Sequence, residues 1–408
     1  MYKNQKIKIQ DHYQYFLLHE NSQLPVMFPF LYGVFKLRNK SLSIQKQSMK
    51  GILNWYIYWS VKKGECFDVA FYNSGYDLEI VYKEFEGFFL FLSTNNQKSK
   101  LSINTIHLYL MHLKTFFEFL GLRYTCVKYK PQNEDMDFNV QFLRIKNRLN
   151  VFFKYNEFNT SYLGKNWNLP LTQISEDALK KILNLIRPST SQNINTHNPW
   201  RSKEIQLRNF IMVNLLINYG LRSGELLSLT IHSIKPNLSG KGYSLIITNL
   251  DEYDDRSSKP LIKTSGSHRN IYLSAFDYNM INLYLDQVRL KQSAKHSILF
   301  TSLNNKALSY EQLRRTVSII SSKVQQLYPD QPDFQDLNLT PHIFRHVWAT
   351  NYLKYLIEVE KQDMEFAKDN LRLIGGWSMS SEIPVYYANS YISNKANQIN
   401  QNRIIKEV

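Results

Sequence analysis

The sequence predicts a mainly α-helical protein with a small antiparallel β-sheet, and three observations carry that reading. Stretches such as "LSINTIHLYLMHLKTFFEFLG" repeat apolar residues every three to four positions, the spacing of one helix face. Two β-branched and aromatic runs, "YSLIITNL" and "RNIYLS", flank a polar segment and read as strands. Hydrophobic residues make up 43% of a 408-residue chain, a globular composition long enough for two or three cores.

Taken in order, residues 1–40 are rich in aromatics and proline ("LPVMFPFLYGVF") and form an N-terminal extension to which the sequence assigns no role. Residues 41–63 carry helical periodicity and end in lysines, and "YDLEIVYKEFEGFFLFL" reads as a further helix. In the third, Ser102 can cap the start and Gly121 can close the end. Residues 41–124 are therefore expected to form a helical bundle with Lys and Arg at its edges. Residues 125–170, charged and Asn-rich with "KPQNEDMDF", read as a linker ending at Pro170.

A second domain is expected over 171–398. Ser175 caps a helix with acidic residues in its first turn, and "KEIQLRNFIMVNLLINYG" is a long buried helix stopped by Gly220. The strands follow, and from Ser309 onward the pattern is helical again. Residues 399–408 remain as a C-terminal tail.

Charge narrows the function. Lys and Arg number 50 against 34 Asp and Glu, giving +16 and a pI near 9.5. A long polyanion is the partner such a surplus suits, because each phosphate neutralised by Lys or Arg releases counterions. The apolar runs are too short to span a membrane, and the first residues lack a signal-peptide core. Cys66 and Cys126 form no CxxC pattern, so a reduced cytoplasmic setting is expected.

"TPHIFRHVW" (340–348) sets His342 and His346 on one helix face, the arrangement of a zinc pair. A zinc protease also needs glutamate where Ile343 stands. Thr340 as cap and Pro341 at the first helical position leave exposed amides near His342 and Arg345, and these favour an anion. Upstream, "GLRSGELLSL" places Arg222 after a helix-stopping glycine and three residues before Glu225, and "IKTSGSHRNIYL" places Lys263 on a turn entering a strand. Each alone reads as an ordinary helix start or solvated turn.

Their order, with "IGGWSMSSEIPVYYANSY" following, resembles the tyrosine recombinase (phage integrase) family of site-specific DNA recombinases. The likeness spans about 171–397 by motif, and 41–121 more loosely as that family's core-binding domain. It implies a catalytic set of Arg222, Lys263, His342, Arg345, Trp377 and Tyr387. Tyr386 stands as the alternative nucleophile, nine residues after Trp377; the "YAN" context favours Tyr387. Phe344, Val347 and Trp377 depart from the commoner family residues without removing a group the chemistry needs.

The resemblance further implies cleavage and rejoining of double-stranded DNA through a 3′-phosphotyrosyl bond, with neither cofactor nor metal. Two guanidinium forks would bind the non-bridging oxygens, His342 would accept or orient the tyrosine proton, and Lys263 would protonate the departing 5′ oxygen. His342 and Arg345 then belong to a phosphate site, with His346 packed or hydrogen-bonded behind them. Four protomers on two DNA sites would be the active assembly, free of membranes and associated with DNA in the cytoplasm. A type IB topoisomerase, a telomere resolvase or a non-catalytic DNA-binding relative are the competing readings.

Overall fold

The computed structural model describes residues 1–94 except 11, then 101–125, 143, 147, 174–237, 241–249, 254, 256, 259, 260, 262, 265–335 and 337–406. The chain divides into two compact units, Met1–Asn166 and Trp167–Val408. Most of the expected linker, and Lys263 with it, lies outside the described residues.

In the first unit the N-terminal extension is a folded part of the bundle. Strand β1 (Tyr2–Ile9) pairs antiparallel with β2 (His12–His19), Tyr2 opposite His19. A short helix α1 (Met27–Tyr32) follows and runs on into a π-helical turn, Gly33–Leu37. Leu17, Val26, Phe28, Tyr32 and Leu37 join one apolar core with Trp55, Phe67, Phe88 and Phe117. This sheet was absent from the sequence reading because lysines interrupt its alternation on a half-buried strand.

Helix α2 (Leu42–Lys63) starts where Ser41 accepts a hydrogen bond from the Ile44 amide and stops at left-handed Gly64. Its terminal Lys62 and Lys63 clasp Glu84 at 2.5 and 2.7 Å. A helix not anticipated, α3 (Phe67–Asn73), follows; Asp68 at its start accepts the Met27 amide at 3.0 Å and thereby ties it to α1. The single helix expected across 76–92 is two, α4 (Glu79–Tyr82) and α5 (Phe85–Thr94). Helix α6 (Ile103–Leu120) is capped by Ser102 as expected. Gly121, however, keeps right-handed dihedrals and leads into a π-helical turn instead of ending the helix.

The second unit opens with α7 (Glu176–Ile186), capped by Ser175, and α8 (Lys203–Tyr219), stopped by left-handed Gly220. A short α9 (Ser223–Ser228) leads to a three-stranded antiparallel sheet in the order β3 (Ile234–Pro236), β4 (Tyr243–Ile247), β5 (Arg269–Leu273). Leu245 lies opposite Ile271, and both are buried. Helices α10 (Ala275–Tyr284), α11 (Tyr310–Leu327), α12 (Pro341–Glu358), α13 (Met364–Gly375) and α14 (Ile383–Lys406) complete the unit. Residues 399–406, expected as a tail, are the last turns of α14.

Two apolar cores divide this unit. The larger joins α7, α8, the sheet and α11 to Phe344 and Val347 on the first turns of α12. The smaller gathers Trp348 and Leu353 of α12, Leu371 of α13, Trp377, and Tyr387 of α14. The seam between them runs along α12 beside Arg345. Among the described residues no helix is long and apolar enough to cross a membrane.

Candidate active site

Arg222 owes its place to the glycine two residues before it. Gly220 ends α8 at φ 58°, and a Cβ there would fall 2.1 Å from the Trp348 ring. The chain can therefore turn tightly under Trp348 and deliver Arg222 to the start of α9. There the Arg222 amide donates to Glu225 Oε2 at 2.9 Å and its Nη1 meets Glu225 Oε1 at 2.5 Å. Nη1 also reaches Ser267 Oγ at 3.2 Å, and Nη2 donates to the Gly376 carbonyl at 2.9 Å.

Glu225 is shared. Arg269, at the start of β5, places Nη2 2.9 Å from Glu225 Oε2 and donates Nε to the Ile374 carbonyl at 2.7 Å. Burial alone would raise the Glu225 carboxyl, but the Arg269 hydrogen bonds and charge, then the charges of Arg222 and Arg345, hold it below its ordinary value. Ser267 donates to the Gly376 carbonyl at 3.1 Å, so the turn leading into β5 is fastened to the end of α13. Gly376 adopts φ 65°, and a Cβ there would meet the Arg269 guanidinium at 2.5 Å.

Thr340 accepts the Ile343 amide at 3.4 Å and Pro341 occupies the first turn of α12, as its sequence predicts. Arg345 on the inner face is 2% exposed. It donates Nη1 to the Gly220 carbonyl and Nη2 to the Gly375 carbonyl, the latter at 2.6 Å. Burial, and then the charge of Arg222, pull its guanidinium down to about 9, which leaves it protonated at neutral pH. The Trp377 ring lies beneath this cation, 4.1 Å from guanidinium carbon to ring centre, and 5.7 Å from that of Arg222.

Tyr387 is 1% exposed, its ring centre 6.1 Å from that of Trp377, and burial raises its phenol to about 12. Its hydroxyl is 2.6 Å from His346 Nδ1. His342, one turn earlier, has its ring centre 4.3 Å from that of His346. Burial and the Arg345 and Arg222 charges push His342 below its ordinary value; burial, His342 and Arg345 push His346 to about 4.

The structure thus brings Arg222, Arg345, Trp377 and Tyr387 together around the Gly220 and Gly375–Gly376 backbone, with His342 one ring away. Lys263 is outside the described residues. The sequence reading missed Arg269 and Ser267, whose partners lie far along the chain; the only local signal was a cation opening a strand. Among the described residues no group of three His, Cys, Asp or Glu side chains could hold a metal ion, so His342 and His346 have no third ligand there.

A mainly α domain with a small sheet, gathering arginines and a tyrosine at one seam, defines a DNA strand transferase of the tyrosine class. The phage integrase family model matches residues 174–391, more than half of the chain, and the chain belongs to that family of site-specific recombinases. No curated protein sequence matches. The XerH site-specific recombinase bound to difH substrate in a pre-cleavage complex is 18% identical, with TM-score 0.53 over 90% of this chain and 84% of that one. The post-cleavage XerH complex on palindromic difH gives the same identity and TM-score over 95% and 87%. The Tn1549 transposon integrase with transposon right end DNA is 14% identical, TM-score 0.47, over 78% and 84%. At these identities the XerH likeness establishes the fold.

Proposed function

We propose that Arg222, Lys263, His342, Arg345, Trp377 and Tyr387 carry the strand transfer, Tyr387 as nucleophile on the scissile phosphate of a double-stranded DNA site. A phosphodiester repels nucleophiles, and its in-line transition state gathers charge on the non-bridging oxygens. Arg222, a third exposed, meets those oxygens. Arg345, held against two carbonyls, supplies a fixed positive field from beneath. Trp377 packs the two guanidinium groups in place. Attack forms a 3′-phosphotyrosyl bond, and Lys263 protonates the departing 5′ oxygen so that it leaves as a free hydroxyl. A 5′-hydroxyl from a partner duplex reverses the step, so the bond energy is conserved.

What supports the reading is that Arg222 and Arg345 both lie against the Trp377 ring with Tyr387 beside it, although the four residues are spread over 166 positions (222 to 387). The first unit, residues 41–124 with the N-terminal hairpin, serves as the DNA-gripping core-binding domain. Residues 171–398 form the catalytic domain. Two duplexes need four cleavages, so four protomers on two sites form the working assembly.

The test is covalent trapping on a nicked DNA site in excess EDTA. Wild-type protein and Tyr386→Phe form the protein–DNA adduct, and Tyr387→Phe does not while still binding DNA. An adduct from Tyr387→Phe would move the nucleophile to Tyr386, and loss of all adducts on adding EDTA would return the His342–His346 pair to metal binding.

A further inference from the structure

We infer that His346, and not His342, holds the Tyr387 hydroxyl and receives its proton as the tyrosine attacks. The inference rests on the reading of Tyr387 as nucleophile. Its observation is geometric: the phenol oxygen and His346 Nδ1 are 2.6 Å apart, with ring centres at 5.8 Å. A buried phenol needs a polar partner, and packing against Trp377 and Tyr386 leaves its hydroxyl aimed at α12. Residue 342, one turn toward the N-terminus, presents its ring to the His346 ring instead.

The surroundings suit a base. His342 and Arg345 face His346 from its own helix, Tyr387 faces it from α14 with Tyr386 reaching that contact only through the Tyr387 ring, and the Arg222 charge acts on the same phenol. Burial with the two α12 neighbours keeps the imidazole neutral at pH 7, so Nδ1 can accept while Nε2 carries the proton. Negative charge developing on a phosphate bound at Arg222 would offset the cations that hold His346 low. Its basicity then rises at the moment the phenol must lose its proton.

The step balances. The Tyr387 Oη–H bond breaks and its proton passes to His346 Nδ1. The oxygen forms the new bond to phosphorus, the P–O5′ bond breaks, and the departing oxygen takes a proton from the separate acid assigned to Lys263. In the reverse step the incoming 5′-hydroxyl reprotonates Lys263, and His346 returns its proton to Tyr387.

The full-length protein, on a nicked duplex of a site recovered by binding selection, provides the test. His346→Asn leaves an amide oxygen near Nδ1 that can accept a hydrogen bond but not a proton. We expect covalent complex to form ~100-fold more slowly with unchanged DNA affinity, the range of a lost general base. Replacing the bridging 5′ oxygen with sulfur, which needs no acid to leave, should not restore the rate. The wild-type rate should fall at low pH as His346 takes up a proton, and that fall should vanish in the variant. Free imidazole should partly rescue His346→Ala, which guards against a folding defect.

A wild-type rate and pH profile in His346→Asn would overturn the assignment, and so would full restoration by sulfur, which would place His346 on the leaving-group side. If Tyr387→Phe still forms adduct, the nucleophile reading itself fails, whatever the His346 variants do.

Discussion

Glu225 and Arg269 form a buried ion pair, 2.9 Å from carboxylate to guanidinium, and the same carboxylate holds Arg222 at 2.5 Å. One acid thus fixes the start of the sheet's last strand and an arginine at the start of a helix. Removing one partner of a buried pair leaves a charge with nothing to offset it, at a cost of about 3–5 kcal/mol.

Glu225→Gln keeps the shape and removes the charge. Its thermal midpoint should fall, and cleavage should fall further than DNA binding because Arg222 loses its brace. The carboxyl is held below its ordinary value, so its contribution is present above about pH 4.5 and lost as pH falls through the folded value. An unchanged midpoint at pH 7 would show that the two arginines are held by the carbonyls alone.

The two site arginines should respond differently to truncation. Arg222 is a third exposed, so Arg222→Ala should leave the midpoint almost unchanged while cleavage drops by ~100-fold or more. Affinity, spread over many Lys and Arg contacts, should change little. Arg345→Ala strips the partners from the Gly220 and Gly375 carbonyls and opens space under Trp377, so it should lose both cleavage and stability. Equal thermal midpoints for the two variants would contradict the buried role of Arg345.

Much of this site was legible because its residues sit at punctuation marks. Gly220 before Arg222, and Thr340–Pro341 before His342 and Arg345, announce helix boundaries from the chain alone, and the structure keeps each. What stayed hidden joins residues far apart: Arg269 to Glu225 across 44 positions, and His346 to Tyr387 across 41. Local spacing carries no record of such partners. The same limit hid the N-terminal hairpin, whose burial depends on α2, and turned Gly121 from an expected stop into a continuing turn, since a glycine can leave a helix without being compelled to.

Acid should loosen the second unit through its histidines. His346 is held to about 4 against an ordinary 6.5, and His342 is also lowered. Between those values the unfolded chain binds more protons, so stability is full above about pH 6.5 and declines as pH falls toward 4. The loss from His346 should be about 2 kcal/mol after discounting for partial exposure. Thermal midpoints of wild type and His346→Asn between pH 7 and pH 4.5 check this: the wild type should fall more steeply. Parallel curves would mean that the folded protein leaves His346 at its ordinary value.

The final turns of α14 offer a test of assembly. Near its middle the helix is clamped to α12, where Glu358 accepts from Tyr391 Oη and Lys395 Nζ, each at 3.1 Å. Further on, Ile399 and Ile404 are 62% and 49% exposed, apolar side chains that their own unit leaves uncovered. A neighbouring protomer of the proposed tetramer is a natural cover for them, since exposed isoleucines gain by burial at roughly 25 cal/mol per Å². Deleting residues 399–408 spares Tyr387, His346 and the Glu358 clamp. Covalent trapping on a single site should therefore continue at the wild-type rate, while recombination between two sites should fall by ~10-fold or more, the loss expected for about 1.4 kcal/mol of interface. Sedimentation of the protein on paired sites should show the same loss as a shift from four protomers to fewer. Recombination at full rate after the deletion would mean that protomers meet through another surface, and that the exposed isoleucines serve no contact between them.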